Sequence, residues 1–267
     1  MKIGIDAGGT LIKVVTELNN ERTYQKWLAT DIDQVADWLN QLDDVEVSIT
    51  GGKAQYLDSC IKHQAKRSIE FDATYKGIQI FLKENNIDLE TYIFSNVGTG
   101  TSIHYATTDH QERAGGTGAG GGMIQGLSYL LTQISNYDEL VQTALKGDRD
   151  KIDLKVKHIY KGDNTPISGE LTAANFGHVL QHMNDAFPNA DRLAAVMGIV
   201  GETVTTVSIH AARQYNTENV VFIGSSFVKN ELLKNIVVDY TILRGLKPYF
   251  IENGELSGAL GSLYVKH

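Results

Sequence analysis

The sequence predicts an α/β protein built from mixed β-sheets with helices on their faces. Three β-rich runs precede the first helical run, and strands and helices alternate after it. A hairpin with glycine and threonine in its turn also occurs twice, at residues 6–10 and 96–102. Antiparallel strands followed by helical crossovers are typical of mixed sheets. The 267 residues suit one large domain or two lobes that share a cleft.

The first fifteen residues predict a β-hairpin that can bind an anion. Two apolar runs flank the turn Ala7-Gly8-Gly9-Thr10, whose glycines allow positive φ and a close backbone approach. The turn leaves backbone N–H groups and a threonine hydroxyl free to meet an anion, with Asp6 before it and Lys13 beyond it. A carboxylate next to phosphate oxygens is a common arrangement for Mg²⁺. An ordinary hairpin with a Gly-Gly turn has equal weight on this stretch alone.

Apolar spacing predicts the next elements. A strand, a helix, a short strand and a second helix are expected at 22–29, 31–42, 45–50 and 54–61. Residues 67–86 then predict a longer helix, with Ser68 as its N-cap and Glu70 in its first turn. Carboxylates in a first turn complement the helix dipole. By its position alone, Glu70 is therefore a helix-start charge.

A Gly-rich segment follows the second hairpin. Residues 115–122 contain a G-x-G-x-x-G pattern, but the charged residues 109–113 before it predict a loop, which argues against a dinucleotide site. The segment also lacks the Gly-Lys-Ser/Thr ending of a Walker A loop. A Gly-rich turn that leads into a helix favours phosphate through free N–H groups and the helix dipole. A flexible surface linker is the alternative.

The rest of the chain predicts a core helix and a second strand–glycine element. Helices are expected at 123–131, 137–145, 172–184, 190–213 and 255–264, the last rich in small residues that allow close packing, and strands at 155–160, 219–223 and 249–251. Gly224-Ser225-Ser226 follows the strand at 219–223 and leads into another helix.

Composition narrows the possible partners and the location. The net charge of −8 argues against nucleic acid or an anionic membrane as a partner. The single cysteine, Cys60, excludes a disulfide framework or a multi-cysteine metal site within one chain. The chain opens directly into a strand rather than a signal peptide, and no apolar run approaches the roughly 20 residues that cross a bilayer. We expect a cytoplasmic protein.

Taken together, these motifs resemble those of the acetate and sugar kinase/Hsc70/actin superfamily. Residues 6–10 resemble its first phosphate motif, 96–102 its second and 220–226 its adenosine motif. Within the superfamily the chain is similar to type II pantothenate kinases. That similarity rests on Lys13 after the first motif and on Arg113 followed by Gly115-Gly116-Thr117 and Gly120-Gly121-Gly122.

The resemblance implies a two-lobed actin-like, ribonuclease H-like ATPase fold, with an N-terminal lobe at 1–90 and a C-terminal lobe at 91–267. It implies ATP-dependent phosphorylation of pantothenate to 4'-phosphopantothenate, the first step of coenzyme A biosynthesis, with ATP and Mg²⁺ as cofactors. It also suggests a homodimer, for which the helix at 190–213 is a plausible contact.

The resemblance further implies roles for individual residues. Glu70 matches the catalytic base, Arg113 and Thr99 would contact the substrate, and Asp6 would organise Mg²⁺ through water. Tyr137 would stack near the adenine or the pantothenate tail. The residues expected at the nucleotide are Asp6, Ala7, Gly8, Gly9, Thr10, Leu11, Ile12, Lys13, Thr99, Gly121, Gly122, Met123, Ile124, Gln125, Tyr137 and Ser225.

Three other functions fit the same superfamily. A sugar kinase that acts on an N-acetylhexosamine would share the fold and the ATP site. An ATPase that activates a dehydratase through a subunit-bridging iron–sulfur cluster needs two cysteines per subunit, and this chain has one. A non-enzymatic ATP-binding switch would need long subdomain insertions, for which the chain is too short.

Overall fold

The computed structural model describes residues 1–19, 21–161 and 163–265. Two five-stranded mixed sheets with helices on their faces confirm the predicted α/β class. The strands are β1 Lys2–Ala7, β2 Leu11–Leu18, β3 Glu21–Leu28, β4 Glu46–Thr50, β5 Lys66–Arg67, β6 Thr91–Val97, β7 Thr101–Thr107, β8 Gln111–Thr117, β9 Leu154–Lys155, β10 Thr172–Ala174, β11 Asn219–Ile223 and β12 Lys247–Phe250. The helices are α1 Ile32–Asn40, α2 Ala54–Cys60, α3 Glu70–Glu84, α4 Gly121–Thr132, α5 Tyr137–Ala144, α6 Val156–Tyr160, α7 Asn189–Gln214, α8 Glu231–Leu243 and α9 Ser257–Ser262.

The two sheets have the same topology. The first runs β3-β2-β1-β4-β5 and the second runs β8-β7-β6-β11-β12. In each sheet three antiparallel strands come first in sequence, and two parallel strands extend the sheet beside the first of them. The two glycine–threonine turns therefore occupy equivalent positions, after the first strand of each sheet. The sequence repeat corresponds to a structural repeat.

Helices α3 and α9 pack closely between the two sheets because glycines remove the side chains at their crossing. A Cβ at Gly77 would lie 1.9 Å from the Ser257 carbonyl oxygen, and one at Gly261 would lie 1.7 Å from that of Ala73. The close packing predicted for the small-residue helix is confirmed. Helix α9 also contacts β1 and β4, so the C-terminal helix returns to the first sheet. The lobe boundary after residue 90 stays a prediction, and residues 266 and 267 of the second lobe lie outside the described residues.

Helix α7 is the central helix of the second half. By length and composition, α7 could cross a membrane, and no other helix in the described ranges could. The expectation that no apolar run in the chain is long enough to cross a bilayer is therefore wrong. Most of its apolar stretch is buried in the protein. Leu193, Val200 and Ile209 face the core that the second sheet shares with α5 and α8. The predicted core helix is thus confirmed.

Two segments between residues 150 and 188 differ from their predictions. The expected strand at 155–160 is mostly the short helix α6, and the expected helix at 172–184 is β10 followed by a 3-10 turn at Val179–Gln181. Phe176 explains the second difference, because its φ of 59° lies in the left-handed region that a right-handed helix excludes. Its backbone N–H donates to Asp153 Oδ1 at 2.8 Å. A tertiary contact therefore overrides the local helical pattern.

The charged segment before the Gly-rich turn is a strand, so the predicted loop at 109–113 is wrong for its second half. Strand β8 begins at Gln111 and pairs antiparallel with β7 at the edge of the sheet. Edge strands commonly carry exposed charges, which is why the segment lacks an apolar run. Because its neighbour is antiparallel, β8 does not form the parallel unit that a dinucleotide fingerprint requires.

Candidate active site

The first turn, residues 8–10, joins β1 to β2 beside a buried ion pair. The N–H of Gly8 donates to the carbonyl of Leu11 at 3.1 Å and closes the turn. Asp6 and Lys13 are direct cross-strand partners, and Lys13 Nζ donates to Asp6 Oδ2 at 3.0 Å. Both side chains are nearly buried. The hairpin therefore holds one carboxylate and one ammonium group directly behind the turn.

The second turn, residues 98–100, joins β6 to β7 and meets the first turn. The hydroxyls of Thr10 and Thr99 share a hydrogen bond of 2.8 Å. Both threonines are exposed at the mouth of the space between the sheets. The two turns that sequence reasoning assigned to phosphate binding thus come together, one from each sheet.

The Gly-rich start of α4 is fastened to the second turn. The N–H groups of Gly121 and Gly122 donate to the carbonyls of Gly98 and Thr99, each at 2.8 Å. The expectation that these helix-start amides are free for phosphate is therefore wrong for these two groups. A Cβ at Gly121 would lie 2.8 Å from Ser226 Oγ. The glycines allow three backbone segments to approach one another closely.

The serine element after β11 completes this side of the site. Ser226 Oγ donates to the carbonyl of Gly98 at 3.0 Å. Tyr137 donates its hydroxyl hydrogen to the Ser226 carbonyl at 2.7 Å, and Asn230 Nδ2 donates to the Tyr137 oxygen at 3.2 Å. These two hydrogen bonds fix the position of the Tyr137 ring, and Tyr137 lines a cavity.

Two connected cavities occupy the space between the turns. The main cavity has a volume of about 430 Å³, and its lining residues are Asp6, Gly8, Gly9, Thr10, Leu11, Lys13, Gly52, Glu70, Phe71, Asn96, Gly98, Thr99, Gly100, Thr101, Ser102, Thr117 and Ser225. The side cavity has a volume of about 210 Å³, and its lining residues are Thr10, Leu11, Leu28, Gly98, Thr99, Gly121, Gln125, Tyr137, Ser225 and Ser226. Five residues line both cavities, so they form one continuous cleft.

Glu70 is the first residue of α3 and opens into the main cavity. Ser68 does not cap this helix, because the N-cap position is Ile69 and no side chain caps it. Glu70 is exposed as a residue, but partial desolvation of its carboxyl beside the cavity walls raises its pKa, and the negative charge of Asp6 raises it further. The Lys13 ammonium partly opposes this rise. A raised carboxyl pKa moves the group toward the neutral range in which a general base works best.

Arg113 lies next to the main cavity rather than in its wall. It is exposed on β8, and its guanidinium lies 2.8 Å from the position of a Cβ at Gly116. Gly116 pairs with Ser102, which does line the cavity. The substrate role of Arg113 stays a prediction.

Four residues expected at the nucleotide direct their side chains into or against the protein core. Ala7, Ile12 and Ile124 are fully buried, and Met123 packs against the same core as Ile124. Only the backbones of the three buried residues could meet a ligand. Gly122 is exposed but lines neither cavity.

Several lining residues were not among the expected site residues. They are Gly52, Phe71, Asn96, Gly98, Gly100, Thr101, Ser102 and Thr117 of the main cavity, and Leu28 and Ser226 of the side cavity. Most belong to the second hairpin and the serine element, whose motifs could have identified them. Thr117 belongs to the Gly-Gly-Thr motif that follows Arg113, whereas Phe71 carries no sequence signal because only the packing of α3 brings it to the cleft.

The donors in the cleft fit a metal ion that arrives together with phosphates. Asp6 lines the main cavity, and Lys13 engages only one of its carboxylate oxygens in the described hydrogen bonds. No group of three or more histidine, cysteine, aspartate or glutamate side chains in the described ranges could hold a metal by itself. Mg²⁺ commonly uses one or two carboxylates, with water and substrate phosphates for its other ligands.

The chain is similar along its length to proteins of one family. The family model called Fumble matches residues 24–265. A type II pantothenate kinase from Staphylococcus saprophyticus is 57% identical over 265 residues, covering 99% of this chain and 100% of its own. One from Staphylococcus aureus is 56% identical over 266 residues and covers 100% of both chains. These alignments also span the first turn, which precedes the family match.

Solved structures of low sequence identity share the fold. The activator of the 2-hydroxyisocaproyl-CoA dehydratase from Clostridium difficile, with bound ADPNP, has a TM-score of 0.65 at 15% identity, covering 98% of this chain and 92% of its own. A ROK family glucokinase from Streptomyces griseus, in complex with glucose and AMPPNP, has a TM-score of 0.55 at 13% identity, covering 98% and 97%. These likenesses concern the fold alone, and they confirm the predicted actin-like ATPase architecture.

Proposed function

The chain belongs to the Fumble family, and we propose that it transfers the terminal phosphoryl group of ATP to the primary hydroxyl of pantothenate. The product is 4'-phosphopantothenate, and the reaction is the first step of coenzyme A biosynthesis. The observation that carries this proposal is the 56–57% identity with type II pantothenate kinases over the full chain. The meeting of the two turns at Thr10 and Thr99, in a cleft that also contains Glu70, supports it independently.

The chemistry of the transfer divides between the turns and Glu70. Phosphoryl transfer depends mainly on positioning and on neutralising charge, and the two turns supply backbone and hydroxyl donors from opposite sides. Lys13 adds a cation behind the first turn. Glu70 takes the proton from the attacking hydroxyl, a role that its position in the main cavity and its raised pKa both support.

The side cavity suits the nucleoside. Tyr137 offers an aromatic face that its hydroxyl contacts hold in place, and Gln125 and Ser225 offer polar groups at the same cavity. Arg113 would hold the acceptor at the opposite end of the cleft, beside Ser102. A guanidinium suits the carboxylate of pantothenate because it donates two parallel hydrogen bonds to such a group.

Mg²⁺ is part of the proposal and would be held by Asp6 through water, together with phosphate oxygens. When bound, the ion would neutralise charge on the phosphates during the transfer. Asp6 pairs with Lys13 at 3.0 Å and lines the main cavity.

A homodimer in the cytoplasm completes the proposal. Exposed apolar side chains lie on the second half of the chain and include Tyr129, Leu130, Ile242 and Leu243. These exposed side chains on α4 and α8 are where a subunit contact would form. A cytoplasmic location fits the use of ATP as the phosphoryl donor.

The test is ADP release by the purified protein with Mg-ATP and either pantothenate or N-acetylglucosamine, with the product identified by mass spectrometry. Stimulation by pantothenate alone, with a product heavier by one phosphoryl group, is the expected result. Stimulation by the sugar alone would replace the acceptor and keep the ATP site. Slow ATP turnover indifferent to both compounds would contradict kinase activity.

A further inference from the structure

The first turn of α3 is tied to the second sheet by the two residues that follow Glu70 most closely. The Phe71 ring lies 4.6 Å from the His104 ring, centroid to centroid. Asp72 Oδ1 accepts a hydrogen bond of 2.8 Å from Gln111 Nε2. These contacts cross from the helix that carries the candidate base to strands β7 and β8. They form next to the cleft, because Phe71 itself lines the main cavity.

The hydrogen bonds have one consistent direction. A carboxylate only accepts, so Gln111 must present its amino group to Asp72 and its carbonyl oxygen Oε1 to His104. The distance from His104 Nδ1 to that oxygen is 3.0 Å, and His104 therefore donates from Nδ1. Burial lowers the pKa of His104, which keeps the imidazole neutral. The chain of donors runs from His104 through Gln111 to Asp72.

His104 is packed against Phe94, and one of its ring nitrogens is buried without a hydrogen bond. It is fully buried, and its ring stacks on Phe94 with centroids 4.7 Å apart and planes 4° apart. Its second nitrogen, Nε2, is buried and has no hydrogen-bond partner among the described residues. Such a group destabilises a protein, whereas phenylalanine would fill the same stack without that cost. The benefit of histidine at this position therefore lies in its Nδ1–H.

The start of α3 is held from two sides. No side chain caps the helix, and the backbone of Ser68, two residues before Glu70, is hydrogen-bonded to β4. The Asp72–Gln111 bond holds the first turn from the side of the second sheet. Gln111 and Arg113 are two residues apart on β8, an alternation that places them on one face of the strand. The Asp72–Gln111 bond thereby links the helix of the candidate base to the strand of the candidate acceptor-binding arginine.

We propose that His104, Gln111 and Asp72 are positioning residues that hold Glu70 at its working distance from the acceptor hydroxyl. This proposal rests on the proposed function, because it takes Glu70 as the base of the transfer. The three residues act through Glu70 and do not touch the reacting atoms. A displacement of about 1 Å in a catalytic group can lower a rate by about 100-fold.

The main test compares Gln111→Ala with Gln79→Ala. Gln79 also joins α3 to the second sheet, since its Nε2 donates to the carbonyl of Thr108 between β7 and β8, but it lies nine residues beyond Glu70 on the helix. We expect Gln111→Ala to lower kcat by about 10- to 100-fold with the KM for ATP within about twofold, and Gln79→Ala to leave kcat unchanged. An equal decrease of kcat in both variants, or an unchanged kcat in Gln111→Ala, would overturn the proposal.

Two conservative variants test the direction of the chain. Asp72→Asn keeps an oxygen that accepts from Gln111 and should retain most of the activity that Asp72→Ala loses. His104→Phe keeps both ring contacts and removes the donor, so kcat should fall while thermal stability holds or rises. No rescue in Asp72→Asn, or full activity in His104→Phe, would contradict a hydrogen-bonded chain.

A second readout does not depend on turnover. Amide hydrogen exchange at Ala73, whose N–H makes the first backbone hydrogen bond of α3 to the Ile69 carbonyl, should become faster in Gln111→Ala and remain unchanged in Gln79→Ala. If wild-type protein fails to phosphorylate pantothenate, the proposed function fails and this exchange pattern still decides whether the contacts hold the helix start. Unchanged exchange in Gln111→Ala would overturn the proposal even in an active kinase.

Discussion

Thr10 and Thr99 join the two halves of the protein through a hydrogen bond of 2.8 Å between their hydroxyls. The two residues are 89 positions apart and occupy equivalent turns of two sheets with the same topology. A direct contact between the two turns proposed to bind phosphate sets the spacing of the donors that each turn offers. The cleft is therefore partly preorganised before a nucleotide binds.

The first prediction concerns this contact. Thr99→Val keeps the shape of the side chain and removes its hydroxyl, so the KM for ATP should rise by about 3- to 10-fold, in line with about 1 kcal/mol for one hydrogen bond. Thr99→Ser keeps the hydroxyl and should resemble the wild type. Steady-state kinetics at saturating pantothenate would measure both, and equal KM values for ATP in the valine and wild-type enzymes would contradict the prediction.

Replacing the candidate base should stop the chemistry and spare the fold. We expect Glu70→Gln to lower turnover by about 10²- to 10⁴-fold, because glutamine cannot accept the hydroxyl proton. Calorimetry should show that the variant still binds ATP. A rate near that of the wild type would remove Glu70 from the mechanism.

The same substitution should stabilise the free protein above the pH at which glutamate ionises. Folding raises the pKa of Glu70, so the folded state binds this proton more tightly than the unfolded state. Stability is then lost as pH rises from the unfolded pKa through the folded one. Without nucleotide or Mg²⁺, Glu70→Gln should therefore have a higher Tm than the wild type at pH 7.5, and the difference should shrink toward pH 4. A lower Tm at pH 7.5 would show that the ionised carboxylate is stabilised in the fold.

Arg113→Ala should weaken capture of the acceptor more than binding of ATP. Loss of a charge-assisted hydrogen bond costs about 1.5–3 kcal/mol, so the KM for pantothenate should rise by about 10- to 100-fold. The KM for ATP should stay within about twofold. Arg213→Ala removes an exposed arginine at the end of α7 and serves as the control for charge. Unchanged pantothenate kinetics in Arg113→Ala would reject the role.

The packing of α3 on α9 can be tested with two glycines in helix interiors. Gly77→Ala places a methyl group against the Ser257 backbone, where no side chain can move away, and should destabilise the protein by about 1–3 kcal/mol. Gly126→Ala places the same group where nothing lies within 4 Å and should stabilise α4 by up to about 1 kcal/mol. Urea unfolding would measure both, and similar effects at the two positions would contradict the close crossing.

Features that depend on local chemistry could be predicted before the fold was known. The two glycine–threonine turns, the strands beside them and the long core helix could be located because glycine, threonine and apolar spacing restrict the backbone over a few residues. The resemblance then linked the first turn, the second turn and the serine element at 224–226 to one cleft. It also predicted a catalytic role for Glu70, whose position alone indicates only a charge at the start of a helix.

How these parts meet depends on contacts between residues that are far apart in the chain. The amides of Gly121 and Gly122 are used by the second turn rather than left free, and no local rule shows a partner more than twenty residues away. Phe176 also depends on a distant partner, because its backbone bond to Asp153 stabilises a non-helical conformation. The bond between Asp72 and Gln111 is likewise long-range, because it joins helix α3 to strand β8. Local sequence sets which conformations a segment can adopt, and long-range contacts choose among them because their free energy exceeds the small differences in local preference.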